Sequence, residues 1–364
     1  MSADQLLIAL MALFAVLGAL DRIFGGRFGI GREFESGILT MGSLALAMVG
    51  IVCLAPVLAA VLRPVVVPVF RLLGADAAMF AGSILACDMG GGALARELTQ
   101  NADAAALGGV ITGSMLGATV VFTIPVAMGI LDEGDRPAMA KGILCGIITI
   151  PAGVLVGGLV AGFPLTMVAQ NLIPIVILAA LIALGLWRAE KAMVRGFELF
   201  GKGVVAVSTA GLAAAIAQSL TGWTIIPGMA PIADGFQTVG SIAIVLAGAF
   251  PLVAILTRLL RKPLLAAGKY LGINDAAAAG LIASLANSIA TFGMVKDMNP
   301  RGKVVNIAFA VSAAFVFGDH LGFTAGFAPE LLPAVILGKL SGGVSAVLVA
   351  LLLTAKEGDS TKRS

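Results

Sequence analysis

Apolar runs of about 20 residues recur along this chain, beginning with Gln5–Ile23 and Ile38–Leu62, and they constrain its fold more than any other feature. In lipid every backbone N–H and C=O must be satisfied internally, so only helices and closed barrels span. A barrel would show alternating segments of about 10 residues rather than continuous runs. The expectation is an all-α polytopic membrane protein. Composition agrees: 59% of the 364 residues are hydrophobic, 12% are charged, and mean hydropathy is +1.07. A net charge of +3 on such a chain is no sign of a nucleic-acid partner, and the basic residues matter through the loops they occupy. Cys53, Cys87 and Cys145 lie inside apolar runs without a CxxC pairing, as ordinary buried thiols do. The N-terminal stretch lacks a basic leader and a clear cleavage site, so it reads as a retained first helix.

Nine spans follow in order: Gln5–Ile23, Ile38–Leu62, Ala105–Leu131, Ala138–Ala161, Leu165–Trp187, Gly203–Leu220, Gly240–Leu260, Val304–Phe327 and Leu331–Thr354. Two further segments, Asp76–Thr99 and Asn274–Met298, are each long enough to cross once or to enter and return as a helical hairpin. An internal repeat bears on that choice. At an offset of 198, Gly37–Gly50 aligns with Gly235–Gly248, and the register continues without a gap through Arg63/Arg261, Gly74/Gly272 and Gly82/Gly280, recurring at Lys141/Lys339. Basic residues gather after Trp187, after Leu260, around Lys296–Lys303 and at the C-terminus, whereas Thr221–Phe236 and Gly326–Glu330 carry none. The positive-inside rule puts the first set in the cytoplasm. Both ends of Asn274–Met298 then share one side, and five spans between equivalent points give the halves opposite orientation. The expected plan is an inverted repeat of about five elements per half with two interrupted or re-entrant segments. The alternative is 11 full spans and a parallel repeat. The corresponding division is a first repeat over 1–162, a linking helix and cytoplasmic loop over 163–196, a second repeat over 197–356 and a disordered cytoplasmic tail over 357–364.

Chemistry-bearing residues are few. Asp88 precedes Gly90, Gly91 and Gly92 inside an apolar run, and three glycines weaken a helix by roughly 1 kcal/mol each while freeing backbone for a ligand. An acid in a broken helix at membrane depth marks a functional site, with helix capping as the structural alternative. The second interrupted segment offers Ser284, Asn287 and Thr291 near the position equivalent to Asp88, so a carboxylate and neutral hydrogen-bonding groups would meet around a small polar cation. Asp319 and His320, the chain's one histidine, form a second constellation between Gly318 and Gly322, expected as a gate or proton-coupling pair, or as a structural pair closing a helix end. One histidine with no acid sharing its helical face is no convincing metal-ligand set, and no cofactor motif or nucleophile elbow is present, so no enzyme, cofactor or metal is expected. Arg96 and Glu97 read as a surface ion pair, and Lys141 and Lys339 as snorkelling lysines.

The stretches GREFESGILTMGSLALAMVGIVCLAPVLA, FAGSILACDMGGGALA and FVFGDHLGFTAG together resemble the ethanolamine-utilisation transporter (EutH) family over nearly the whole length. The resemblance implies a bacterial inner-membrane permease importing ethanolamine, embedded in the lipid bilayer. That substrate is a compact ammonium with a hydroxyl. Asp88 would neutralise the ammonium while Ser284, Asn287 or Thr291 met the hydroxyl beside Gly90 and Gly91. A scarcity of Tyr and Trp argues against an aromatic cage for quaternary amines. The expectation is alternating access, ion- or proton-coupled, in a carrier that by analogy of architecture forms a homo-oligomer. The rival is a facilitative channel in which the acid only attracts the cation.

Overall fold

The structure, a computed structural model, describes residues 2–355. It is helical throughout, with no strand among the described residues. The expected tail over 357–364, and the C-terminal basic cluster used for orientation, lie outside them. Among the described residues, seven helices are long and apolar enough to cross a membrane: α1 (Ala3–Ile23), α2 (Ile30–Leu72), α5 (Ala102–Ile130), α6 (Glu133–Val160), α7 (Leu165–Thr221), α8 (Ile232–Leu259 within Ile232–Leu271) and the last (Pro329–Leu353). The chain is thus built as a multi-pass membrane protein.

The spans expected at Leu165–Trp187 and Gly203–Leu220 both lie in α7. The loop expected between them is helical too, apart from a sharp bend at Ala189, whose φ of −143° and ψ of 47° leave the helical region. Met193 folds back against Gly185 across that bend. Helix α2 carries Pro56, Pro64 and Pro68 and remains continuous; in lipid, neighbouring helices and local adjustments re-satisfy the freed backbone groups. Equivalent stretches of α2 and α8 pack side by side, with Gly37 against the Ala247 backbone and Gly235 against Val49.

The segments Asp76–Thr99 and Asn274–Met298 are hairpins, because their ends meet. In the first, α3 (Ala78–Ile84) and α4 (Gly91–Leu98) flank an irregular tip, and Thr99 Oγ1 donates to Asp76 Oδ2 at 2.8 Å. In the second, α9 (Asp275–Ala286) and α10 (Ser288–Met294) flank Asn287. Asn274 Nδ2 donates to the Asp297 carbonyl at 2.8 Å, and Asn299 N donates to Asn274 Oδ1 at 3.3 Å. A single crossing would hold those ends a membrane's thickness apart, so the reading with both segments fully crossing does not fit.

The span expected without interruption over Val304–Phe327 is broken. Helix α11 (Pro300–Ala313) ends, Phe315 takes a left-handed φ of 62°, and α12 (Asp319–Phe327) starts after Gly318. The cause is tertiary: the N–H groups of Phe315 and Phe317 donate to the Ser284 and Leu285 carbonyls of the second hairpin at 3.0 and 2.9 Å. Those bonds replace the helical ones the break gives up. Helix α5, which the sequence offset of 198 aligns with this stretch, does not break. It widens into π-type turns over Ala106–Gly117 and Thr119–Thr123, and Thr119 Oγ1 donates to the Val311 carbonyl of α11 at 2.9 Å. The last helix, α13 (Leu332–Leu353), packs a face of Gly338, Gly342 and Gly343 against Gly153, Ser312 and Ala313.

Candidate functional site: a carboxylate and an imidazole at two helix breaks

Hairpin one reverses through a 3-10 turn at Cys87–Met89 and then Gly90, whose φ of 91° is one that a side chain rarely adopts. The Gly91 N–H closes the turn onto the Ala86 carbonyl at 3.0 Å. Gly92 lets α4 approach α12 closely, since a Cβ there would come 2.9 Å from the Phe323 ring. Gly90 and Gly91 therefore shape the tip, and the Gly91 amide is already bonded. Farther along α4, Arg96 does not pair with Glu97. It donates to the Phe327 carbonyl at 3.0 Å and lies 3.6 Å from that ring's centre, fastening hairpin one to the end of α12.

The turn leaves Asp88 facing the start of α12. Its Oδ1 is 3.7 Å from His320 Nε2, with both side chains largely buried, and it accepts no hydrogen bond. His320 Nδ1 is also buried without a partner. An unpaired buried polar group costs roughly 1 to 3 kcal/mol, more when charged, so two at one place require a compensating contact. Both residues and Asp319 line a cavity of about 240 Å³. That is several times the ~30 Å³ share of a liquid water molecule, ample for a small amine. Ser43 brings a hydroxyl from α2, and Phe122 and Phe315 close the remaining side edge to face, 5.4 Å between ring centres. The arrangement offers two carboxylates, one imidazole and an apolar wall to a small hydrogen-bonding cation.

Asp88, Asp319 and His320 are thus brought together, whereas Ser284, Asn287 and Thr291 are not among the groups lining this cavity. Ser284 and Thr291 share a hydrogen bond of 2.8 Å, and Thr291 also donates to the Gly280 carbonyl at 2.9 Å. Asn287 Oδ1 accepts from the Ile289 N–H at 2.7 Å, capping α10. These bonds hold hairpin two together. Cys87 comes close enough that its sulfur, an Asp88 oxygen and a His320 nitrogen lie within 4.8 Å of one another, a grouping that sequence spacing alone did not reveal.

Lys339 departs furthest from expectation. Instead of snorkelling it is 1% exposed, and its ammonium donates to the Ser114 carbonyl of α5 behind the hairpin-one tip. Lys141, its repeat counterpart, is exposed. The signal in the sequence was the set Gly338, Gly342 and Gly343 around the lysine, a small-residue face of the kind that packs against protein rather than lipid.

Comparison with known proteins bears on what such a cavity serves. Over residues 3–353 the chain matches the family described as "Ethanolamine utilisation protein, EutH". A Listeria monocytogenes protein named "Probable ethanolamine permease EutH" is 58% identical over 97% of this chain and 95% of its own length. An Escherichia coli protein of the same name is 48% identical over 98% and 97%, and the Bacillus subtilis protein YxeR, described as uncharacterized, is 49% identical over 97% and 96%. No solved structure matches the chain. With the family match spanning both hairpins, the broken helix and every residue of the cavity, the chain belongs to the EutH family of ethanolamine utilisation proteins.

Proposed function

We propose that this protein is a carrier that moves ethanolamine across a bacterial inner membrane by alternating access, with Asp88 as the partner of the substrate ammonium. The observation that carries the reading is the pair of unpartnered buried atoms, Asp88 Oδ1 and His320 Nδ1, on residues facing one cavity between a hairpin tip and a helix break. The permease names of the relatives support the substrate. An ammonium held between Asp88 and Asp319 replaces the hydration it loses, and the substrate hydroxyl reaches His320 or Ser43. His320, one residue from Asp319, is the candidate for proton coupling.

The inverted repeat is part of this proposal, and symmetric contacts support it. Shifting Gly37–Ala247 by 198 in one direction and the other gives Gly235–Val49, which is also a contact. Equivalent helices that pack antiparallel with exchanged contacts fit a two-fold axis perpendicular to the helices, and so in the membrane plane. The asparagine caps repeat as well: Asn101 Oδ1 accepts from Ala104 N, and Asn299 Oδ1 from Gly302 N. The repeats would run over 1–162 and 197–356 about a linking segment at 163–196, with the C-terminus cytoplasmic by the charge of the loops, and a homo-oligomer is the assembly usual for such a plan.

The test is uptake of labelled ethanolamine into proteoliposomes holding wild-type protein or Asp88→Asn, with and without an imposed pH gradient. Asparagine keeps the size and removes the charge. Loss of a charge-assisted contact worth about 3 kcal/mol lowers substrate affinity roughly 100-fold. Normal uptake by a folded Asp88→Asn protein would overturn the assignment, and flux that never saturates would point to a channel.

A further inference from the structure

The cavity described above holds two acids and one imidazole, and the cluster has a further basic member that the transport reading does not use. Lys339 approaches from α13 on the far side of the hairpin-one tip. Its ammonium donates to the Ser114 carbonyl, and no carboxylate oxygen lies within 4.0 Å of it among the described residues. Ser114 follows Gly113, where a Cβ would come 3.1 Å from the Cys87 amide nitrogen, so the ammonium sits one backbone layer behind Cys87 and Asp88. It lies within Coulombic reach of both.

Burying a lysine at membrane depth is costly unless its charge serves a neighbour. The neighbour is Asp88, which shares the walls of one cavity and a Coulombic interaction with a second carboxylate, Asp319. Counting formal charges, two acids and one ammonium leave a single negative charge, and His320 supplies none while neutral. One monovalent cation makes the loaded cluster neutral. A neutral cluster is the form that can change its exposure across a low-dielectric membrane without moving an unbalanced buried charge. Without the lysine the same walls would call for two positive charges.

We propose that Lys339 is the resident counter-cation of this cavity and limits its cargo to one positive charge. The inference rests on the reading of the cavity as a cation-transport site and goes beyond it by naming the residue that discriminates cargo charge. It gives Lys339 a specificity role without requiring it to touch the substrate.

Ethylenediamine is the discriminating probe, because it replaces the hydroxyl of ethanolamine with a second amine at almost the same size. In mildly acid buffer it carries two charges. Wild-type proteoliposomes should take up labelled ethanolamine and be inhibited only weakly by the diamine. Lys339→Gln should be inhibited about tenfold more strongly by it, while Lys339→Arg, which keeps the charge, should discriminate as the wild type does. Ethylene glycol, the uncharged analogue, should compete with neither. Wild-type protein that accepts diamine and ethanolamine alike overturns the proposal without any variant. So does a folded Lys339→Gln protein with unchanged preference. Failure of the wild type to take up ethanolamine would instead sink the transport reading, and the two failures are thereby separate.

Discussion

The two hairpins occupy equivalent places in the sequence and have similar helix-turn-helix form, yet their tips end in opposite chemical states. At the tip of hairpin one, Asp88 keeps an unbonded carboxylate oxygen, and the turn is bought with a left-handed glycine at position 90. At the tip of hairpin two, Asn287 caps its own helix, Ser284 bonds Thr291, and the carbonyls of Ser284 and Leu285 are taken by the broken helix beside them. One tip presents unsatisfied groups to a cavity; the other bonds Ser284, Thr291 and Asn287 Oδ1 within the hairpin and leaves only the Ser288 hydroxyl buried without a partner, away from that cavity. If a duplication produced the pair, one copy kept the groups proposed above to bind the cation while the other became the brace that creates the helix break facing it.

The comparison breaks most decisively at the carboxylates. Asp88→Asn should lower ethanolamine uptake by two orders of magnitude at limiting substrate, for the roughly 3 kcal/mol given above, whereas Asn287→Asp should leave it within a factor of about two. Equal losses from both would mean that the tips share the work. Next is Gly318→Ala. The new methyl would press into the Ala286 carbonyl, a backbone atom that cannot step aside, so a loss of about 1 to 3 kcal/mol is expected, read as a lower melting midpoint in detergent. An unchanged midpoint would show that hairpin two is not held against the break. Thr291→Val should cost roughly 1 to 2 kcal/mol by stranding Ser284 and the Gly280 carbonyl, with the KM for ethanolamine unmoved. A large KM shift at constant stability would make Thr291 a ligand after all. Asn287→Ala has the smallest effect, about 1 kcal/mol for a lost helix cap, detectable as faster amide exchange at Ile289.

What the sequence made legible, and what it hid, follows from where each cause lies. Both hairpins announced themselves because polar and glycine residues interrupt apolar runs, a local signal, and Asp88, Asp319 and His320 stood out because charge in such runs is rare. The break at Ala314–Gly318 was invisible. The stretch AFVFG contains no proline, and it is interrupted because carbonyls 31 and 32 residues away in sequence claim its amides. Ser284 and Thr291 were legible as polar but not as already bonded, since their partners lie in the same folded hairpin. Lys339 was misread because a lysine near a helix end usually reaches water, and only the glycine face around it indicated otherwise. Phe122 and Phe315 entered the cavity wall with no sequence signal at all.

The two hydrogen bonds donated by the Phe315 and Phe317 amides to hairpin two amount to a short strip of sheet-like pairing welded between helical pieces. Parting them would leave the peptide groups of Ser284 and Phe315, both buried, without their partners, at a cost of roughly 1 to 3 kcal/mol each. Hairpin one meets α12 differently, through a carboxylate and an imidazole, a glycine against a ring and an arginine stacked on an aromatic. Side-chain contacts of that sort can be exchanged one for another as surfaces slip. The weld and the slip plane are on opposite sides of the same cavity, and a moving part, wherever it travels, should separate along the second.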